Sequence, residues 1–174
     1  MLNLIKTSMR NMIRYENKAG HIYLSMFLVC AGLLCNGFRD VCSGATNRNK
    51  VLPINVAGIE LEVELATTFD EHALGLMYRD KLEKNGGMLF VFPKENFLSF
   101  WMKDTRIPLS IAFIKENGRI VQIESMKPYS LDTHVAKEKA KYALEMNEGW
   151  FRVHNVREGD TVKIPLTMYE KIKD

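Results

Sequence analysis

Alternation of apolar and polar residues is the dominant pattern of the chain from residue 51 onward. Val51 to Val56 and Ile59 to Leu65 flank a predicted tight turn at Ala57-Gly58, and in the second run the apolar residues alternate with three glutamates. A period of two predicts a strand with one buried face. The two runs therefore predict a β-hairpin.

Three later runs are apolar at nearly every position. They are Met88 to Phe92, which Pro93 ends, Phe97 to Met102, and Ile107 to Ile114. Such runs are typical of central strands that are buried on both faces. Asn117-Gly118 is the strongest turn signal in the chain and predicts a second hairpin with the apolar run that follows.

Two short helices are expected among these strands. Thr68 and Glu71 have the spacing of a capping box, and apolar residues recur at helical spacing after them. This predicts a helix from about Phe69 to Arg79. Trp150 to Asn155 is the second candidate.

The remaining segments complete a mainly β domain. Tyr142 to Met146 and Thr161 to Leu166 predict two more strands, and Met126 to Lys141 predicts a surface loop that is partly helical around Val135 to Ala140. Seven or eight short strands separated by turns favour a sandwich, jelly-roll-like or barrel-like architecture.

An apolar leader precedes this domain. Residues 22–37 carry no charge and follow four basic residues, Lys6, Arg10, Arg14 and Lys18. This is the pattern of a signal peptide. Cleavage after Ala45, an uncleaved anchor formed by residues 22–37, and lipid modification of Cys35 remain alternatives. In each case the chain is expected to be exported, to a periplasmic or extracellular location, with membrane contact only through the leader.

The charge balance also separates the leader from the domain. Residues 1–45 hold five basic and two acidic residues, whereas residues 46–174 hold 19 of each, so the domain is neutral. A neutral domain offers no electrostatic footprint for nucleic acid, and none is expected as a partner. All three cysteines lie in residues 1–45. Residues 46–174 therefore contain no disulfide, no thiolate zinc site and no cysteine nucleophile.

Five motifs occur in a fixed order along the domain: HALGLMYRDKL, GGMLFVFP, FWMKDTRIPLSIAFIKENGRIV, YALEMNEGW and EGD. In these motifs the chain resembles the domain-of-unknown-function 192 (DUF192) family, over about Val51 to Ile164. The resemblance implies a mostly β, sandwich-like or jelly-roll-like domain of bacterial and archaeal proteins, many of them exported. It implies no activity, because the family's function is unsettled. This chain has His72, Asp104 and Ser110 where the family often has Arg, Asn and Asp.

The segment from Phe97 to Pro108 holds the richest candidate chemistry. On an extended strand, Trp101, Lys103 and Thr105 would share one face, with Phe100, Met102 and Asp104 on the other. An indole beside charged groups suits a flat ligand such as a sugar ring. The expected ligand surface consists of Trp101, Lys103, Asp104 and Thr105, with Arg79 and Glu145 in support. The structural alternative places Trp101 in the core.

Glu145 lies in an apolar strand, where an unpaired carboxylate is costly. Arg79 and Lys103 are the first candidates for its partner, as a structural ion pair. The catalytic alternative combines Glu145 with Asp104 as two carboxylates for acid–base hydrolysis of a glycosidic bond.

No complete catalytic, metal or cofactor constellation is visible. The domain's histidines, His72, His134 and His154, lie far apart, and there is neither a phosphate loop nor a nucleophile elbow. We therefore expect no metal and no cofactor. The leading hypothesis is a binding or accessory module for a glycan-like or other small ligand. The alternatives are a small hydrolase of cell-envelope glycans and a structural or interaction module.

Overall fold

The computed structural model describes residues 50–165, and these form a mainly β domain. Its elements are β1 (Val51–Val56), β2 (Ile59–Ala66), α1 (Phe69–Leu74), β3 (Gly87–Asn96), β4 (Ser99–Phe100), β5 (Leu109–Ile114), β6 (Ile120–Met126), β7 (His134–Val135), β8 (Ala140–Asn147), α2 (Trp150–Val153) and β9 (Val162–Lys163). The leader, its candidate cleavage site and the three cysteines lie outside the described residues. The predicted mainly β domain with two short helices is confirmed.

Seven strands form one curled sheet in the order β6-β5-β8-β3-β2-β1-β9, with the form of a half-barrel. All neighbours are antiparallel except β2 and β3, which run parallel. A parallel pair needs a long crossover, and residues 67–86 supply it with α1 inside. β4 and β7 form a separate two-stranded sheet.

The segment before β9 links the two edges of the curled sheet. β9 pairs with β1, while residues 159–162 bond to the start of β6: the Ile120 N–H donates to the Asp160 carbonyl over 2.9 Å, and the Gly159 N–H donates to the Ile120 carbonyl over 2.8 Å. The Val162 N–H also donates to the Gly118 carbonyl over 2.8 Å. The edge backbone groups are thereby paired at this end of the sheet.

Gly118 makes this closure possible, and we expect Gly118→Ala to destabilise the domain strongly. Its φ is +85°, and a Cβ there would lie 2.4 Å from the Val162 carbonyl oxygen. We expect a loss of about 2–4 kcal/mol in the free energy of unfolding, since left-handed strain and a backbone clash combine. Gly58→Ala is the matched control, because Gly58 has a φ of +93° but open space around it. Urea denaturation measures the free energy of unfolding of both variants. Equal losses for Gly118→Ala and Gly58→Ala would contradict the clash.

The curled sheet has a hydrophobic cluster on each face. Along β8, Tyr142, Leu144 and Met146 belong to one cluster, which also contains Trp150 and Phe151 of α2. Ala143 belongs to the other cluster, which includes Met88 of β3 and Ile111 of β5. Because side chains alternate along a strand, Glu145 lies on this second face. The crossover and the segment after β4 cover that face through Leu76 and Met102.

Helix α1 is shorter than the predicted range of Phe69 to Arg79. Its start agrees with the capping box: the Glu71 N–H donates to the Thr68 hydroxyl over 3.2 Å, and the Thr68 N–H donates to the Glu71 carboxylate over 2.9 Å. It ends at Leu74 because Gly75 has a φ of 47° and a ψ of −130°, outside the helical region. Helix α2 ends at Val153 rather than at Asn155.

Three strand predictions and one helix prediction also needed correction. β3 continues through Pro93 to Asn96, with a register shift after Val91, because an irregular pairing tolerates proline. The predicted strand from Phe97 to Met102 is reduced to Ser99–Phe100, since the chain turns after Phe100. Residues 135–140 form no helix, and His134–Val135 pairs with β4. The last strand is Val162–Lys163, and the predicted end at Leu166 lies outside the described residues.

Candidate functional site

A cavity of about 360 Å³ lies on the second face of the sheet. Residues 69–77 of the crossover and residues 99–105 contribute to its lining. The sheet contributes residues of β3 and Glu145 of β8. The crossover turn and the segment after β4 are held together by backbone hydrogen bonding, since the Tyr78 N–H donates to the Asp104 carbonyl over 2.9 Å. Two connecting segments therefore form walls against the rigid sheet.

Aromatic rings form a continuous side of this cavity. The centroids of the His72 and Phe92 rings lie 4.4 Å apart, and Phe92 and Phe100 lie 6.4 Å apart. Phe100 meets Phe90 edge to face at 4.9 Å. Such edge-to-face packing is favourable and fixes the shape of the wall.

Among the described residues that line the cavity, Glu145 is the one that carries a carboxyl group. Its neighbours across the sheet are Met88 and Ile111, and the residue is only 5% exposed. Burial raises the pKa of Glu145 from 4.5 to about 8, because an apolar setting disfavours the charged form. The group is therefore mostly protonated at pH 7 and can donate as well as accept a hydrogen bond.

The predicted cationic partners of Glu145 lie elsewhere. Within residues 50–165, no lysine, arginine or histidine forms an ion pair with it. Arg79 instead makes a two-pronged ion pair with Glu64 through both of its terminal nitrogens. The expected pairing of Glu145 with Arg79 or Lys103 is thus wrong, because the strand face that holds Glu145 is covered by apolar side chains.

Trp101 lies at the cavity and is 49% exposed, so it is not a core residue. Lys103 places its Nζ 5.5 Å from the centroid of the Trp101 ring, within the range of a cation–π contact. Thr105 is buried, lines the cavity, and donates its hydroxyl to the Lys103 carbonyl over 3.2 Å. The structure therefore brings Trp101, Thr105 and Glu145 to one cavity.

Asp104 does not line the cavity. It has a φ of 53°, and its carboxylate accepts a hydrogen bond of 3.1 Å from the Tyr78 hydroxyl, which raises the pKa of Tyr78. Tyr78 also has a positive φ, of 63°. Asn and Asp tolerate this conformation better than other residues, so the position of Asp104 is explained by the turn.

Arg79 lines a second, more open groove. This groove is formed by the β2 residues around Glu60 to Glu64 and by residues 81–87. Of the six predicted ligand-binding residues, Arg79 is therefore separated from the cavity, while Lys103 and Asp104 lie beside it on the segment after β4. The described part of the chain holds no group of three side chains suited to a metal ion, and neither of its helices has the length and apolar content needed to cross a membrane.

The sequence comparisons agree with this architecture. The profile of the DUF192 family, described as uncharacterized ACR, matches residues 52–164. The chain belongs to the DUF192 family. A UPF0127 protein from Pyrococcus horikoshii is 27% identical to this DUF192 protein over 109 residues, which are 60% of this chain and 88% of the relative. A UPF0127 protein from Thermococcus gammatolerans is 30% identical over 111 residues, 60% of this chain and 67% of the relative.

Two crystal structures are similar to the DUF192 domain. One, from Sinorhizobium meliloti, is a protein described provisionally as a transcription regulator: its TM-score is 0.65 at 32% identity, covering 67% of this chain and 95% of that one. The other, from Novosphingobium aromaticivorans, is a protein of unknown function with a TM-score of 0.64 at 31% identity. The match covers 68% of this chain and 89% of that one. The similarity supports the half-barrel fold and gives no activity.

Several lining residues were not predicted from the sequence. Phe69 and His72 share helix α1 at helical spacing, whereas Phe92 comes from β3, and no sequence pattern connects the helix with that strand. Phe100 was expected on the face opposite Trp101, whereas both line the cavity because the strand ends between them. His72 is half-buried, and its Nε2 donates to the Ala66 carbonyl over 3.0 Å.

Proposed function

We propose that this DUF192 domain is a non-catalytic binding module that takes a small organic ligand into the cavity beside Trp101. The observation that supports this is the convergence of Trp101, Thr105 and Glu145 on one cavity with aromatic walls. A concave, mostly apolar space with few polar groups is the usual form of a small-molecule site. A purely structural module would not need such a space.

The competing hypothesis is a small hydrolase that uses Glu145 and Asp104. A carboxyl group with a pKa of about 8 is protonated at neutral pH, as a general acid requires. The second carboxylate is less well placed, because Asp104 bonds to Tyr78 and is absent from the cavity lining. This weighs in favour of binding without hydrolysis.

Saturation-transfer NMR on the purified protein tests the proposal. The probes are N-acetylglucosamine, its tetramer, choline and benzyl alcohol, each followed for a day by mass spectrometry. We expect at least one probe to bind and all to be recovered intact. Asp104→Asn should leave binding unchanged, because Asn suits the same backbone conformation. Cleavage of the tetramer that both Asp104→Asn and Glu145→Gln abolish would instead support the hydrolase.

We also propose that the protein acts outside the cytoplasm, as an exported or membrane-anchored module. The support is the basic and apolar leader of residues 1–45 and the absence of cysteine from residues 46–174. The intact mass of the protein recovered from the cell envelope distinguishes cleavage after Ala45 from an uncleaved anchor. Recovery of the full-length chain only from the cytosol would contradict export.

A further inference from the structure

Within residues 50–165, the cavity combines a wall of aromatic rings with one buried carboxyl group. Its aromatic lining includes Phe90, Phe92, Phe100 and Trp101. The faces of such rings carry negative electrostatic potential and attract cations, and quaternary ammonium groups are recognised in aromatic cages. Lys103 gives an internal example, since its ammonium group already lies over the Trp101 ring.

Glu145 adds an acceptor without a partner. It lines the cavity, is 5% exposed, and makes no side-chain hydrogen bond or ion pair with any described residue. An ionised carboxylate in an apolar setting is unfavourable unless an opposite charge accompanies it. No cation of the described domain fills this role, so a ligand that carries a positive charge would supply what the site lacks.

The cavity is poorly suited to a neutral sugar. Two of its few polar side chains are already engaged: the Thr105 hydroxyl donates to the Lys103 carbonyl, and His72 Nε2 donates to the Ala66 carbonyl. A sugar has a hydroxyl group on most of its carbons, and each one buried without a partner reduces affinity. The shortage of free polar groups favours a compact ligand with an apolar surface.

We propose that the cavity binds an organic ammonium ion, with the cationic group against the aromatic rings and paired with the Glu145 carboxylate. This inference rests on the proposed function, because it requires the cavity to be a ligand site. It names the ligand's chemical class: an alkylated amine or quaternary ammonium compound rather than an anion or a neutral sugar. A volume of about 360 Å³ accommodates a group of that size.

Binding is expected to be coupled to proton release. Glu145 must lose its proton to pair with the cation, and that proton passes to the buffer. In the described part of the chain, His72 is the other titratable group that lines the cavity, and Lys103 lies beside Trp101. The strands that flank Glu145 contribute uncharged Met88 and Ile111. The association constant for a permanently charged ligand should therefore rise about 50-fold between pH 6 and pH 8, given a pKa of about 8.

Calorimetry with choline and 3,3-dimethyl-1-butanol tests the proposal on the full chain. The two compounds have the same shape and hydroxyl group, but only choline is charged. At pH 8.5 we expect choline to bind at least about tenfold more tightly. Glu145→Gln should reduce this preference to the part that the aromatic rings supply and remove most of the pH dependence. Glu62→Gln, at an exposed position on β2, is the matched control. It should retain both the preference for choline and the pH dependence of binding.

Each contrary result has a distinct meaning. Equal affinity for the two compounds overturns the ammonium specificity and leaves the cavity as a site for neutral ligands. A choline preference that is undiminished in Glu145→Gln overturns the pairing with Glu145. Binding of neither compound overturns the ammonium ligand, whereas the proposed function fails only if the wider set of probes also shows no binding.

Discussion

The protein should lose several kcal/mol of stability between pH 4.5 and pH 8, and Glu145→Gln should remove most of that loss. Burial raises the pKa of Glu145 from 4.5 to about 8 in the folded chain. Below pH 4.5 the group is protonated in both the folded and the unfolded states. As pH rises, the unfolded state ionises first, so folding becomes less favourable until the folded pKa is passed.

The difference between the two pKa values corresponds to a loss on the order of 5 kcal/mol across that window. Glutamine has nearly the same size and no charge, so its stability should not follow this curve. Urea denaturation at half-unit pH steps measures the effect, with Glu62→Gln as the control at an exposed position. Parallel curves for wild type and Glu145→Gln would show that Glu145 does not titrate in this way.

Substitution of the two tryptophans should separate binding from folding. Trp101 is 49% exposed at the cavity, so Trp101→Ala should lower ligand affinity at least about tenfold and leave the thermal midpoint almost unchanged. Trp150 is 4% exposed and stacks on His154 with 4.3 Å between ring centroids. Its replacement by Ala should therefore cost about 3–5 kcal/mol of stability.

Calorimetric titration with choline and thermal unfolding measure the two effects on the same preparations. The comparison is matched because both variants remove an indole from the same domain. A large loss of stability in Trp101→Ala would make Trp101 a structural residue. Full binding by Trp101→Ala would instead place the ligand elsewhere.

The fold was most predictable where a local rule determines the backbone. The alternation from Ile59 to Leu65, the Asn117-Gly118 turn and the Thr68–Glu71 capping box each act within a few residues, and each appears in the structure. The predictions failed where contacts between segments far apart in the sequence determine where an element ends. The end of α1 at Gly75 and the short β4 depend on how the crossover and the following segment pack on the sheet.

The site was only partly predictable for the same reason. Trp101 and Glu145 stood out because an indole beside charges and a carboxylate in an apolar strand are both unusual. The ring wall had no such signal, since Phe92 and Phe100 look like ordinary core residues in the sequence. Arg79 was grouped with the site on its charge alone, and only the three-dimensional pairing with Glu64 removes it.

Chemical-shift mapping of the isotopically labelled protein with choline at pH 8.5 tests the central claim most directly. If the cavity is the ligand site, the shifts will concentrate on the amides of residues 72–77 and 99–105 and on the Trp101 indole N–H. The groove around Arg79, formed by residues 60–64 and 81–87, serves as the internal control and should stay unchanged. Shifts confined to that groove, or scattered over the surface without the Trp101 indole, would contradict the account.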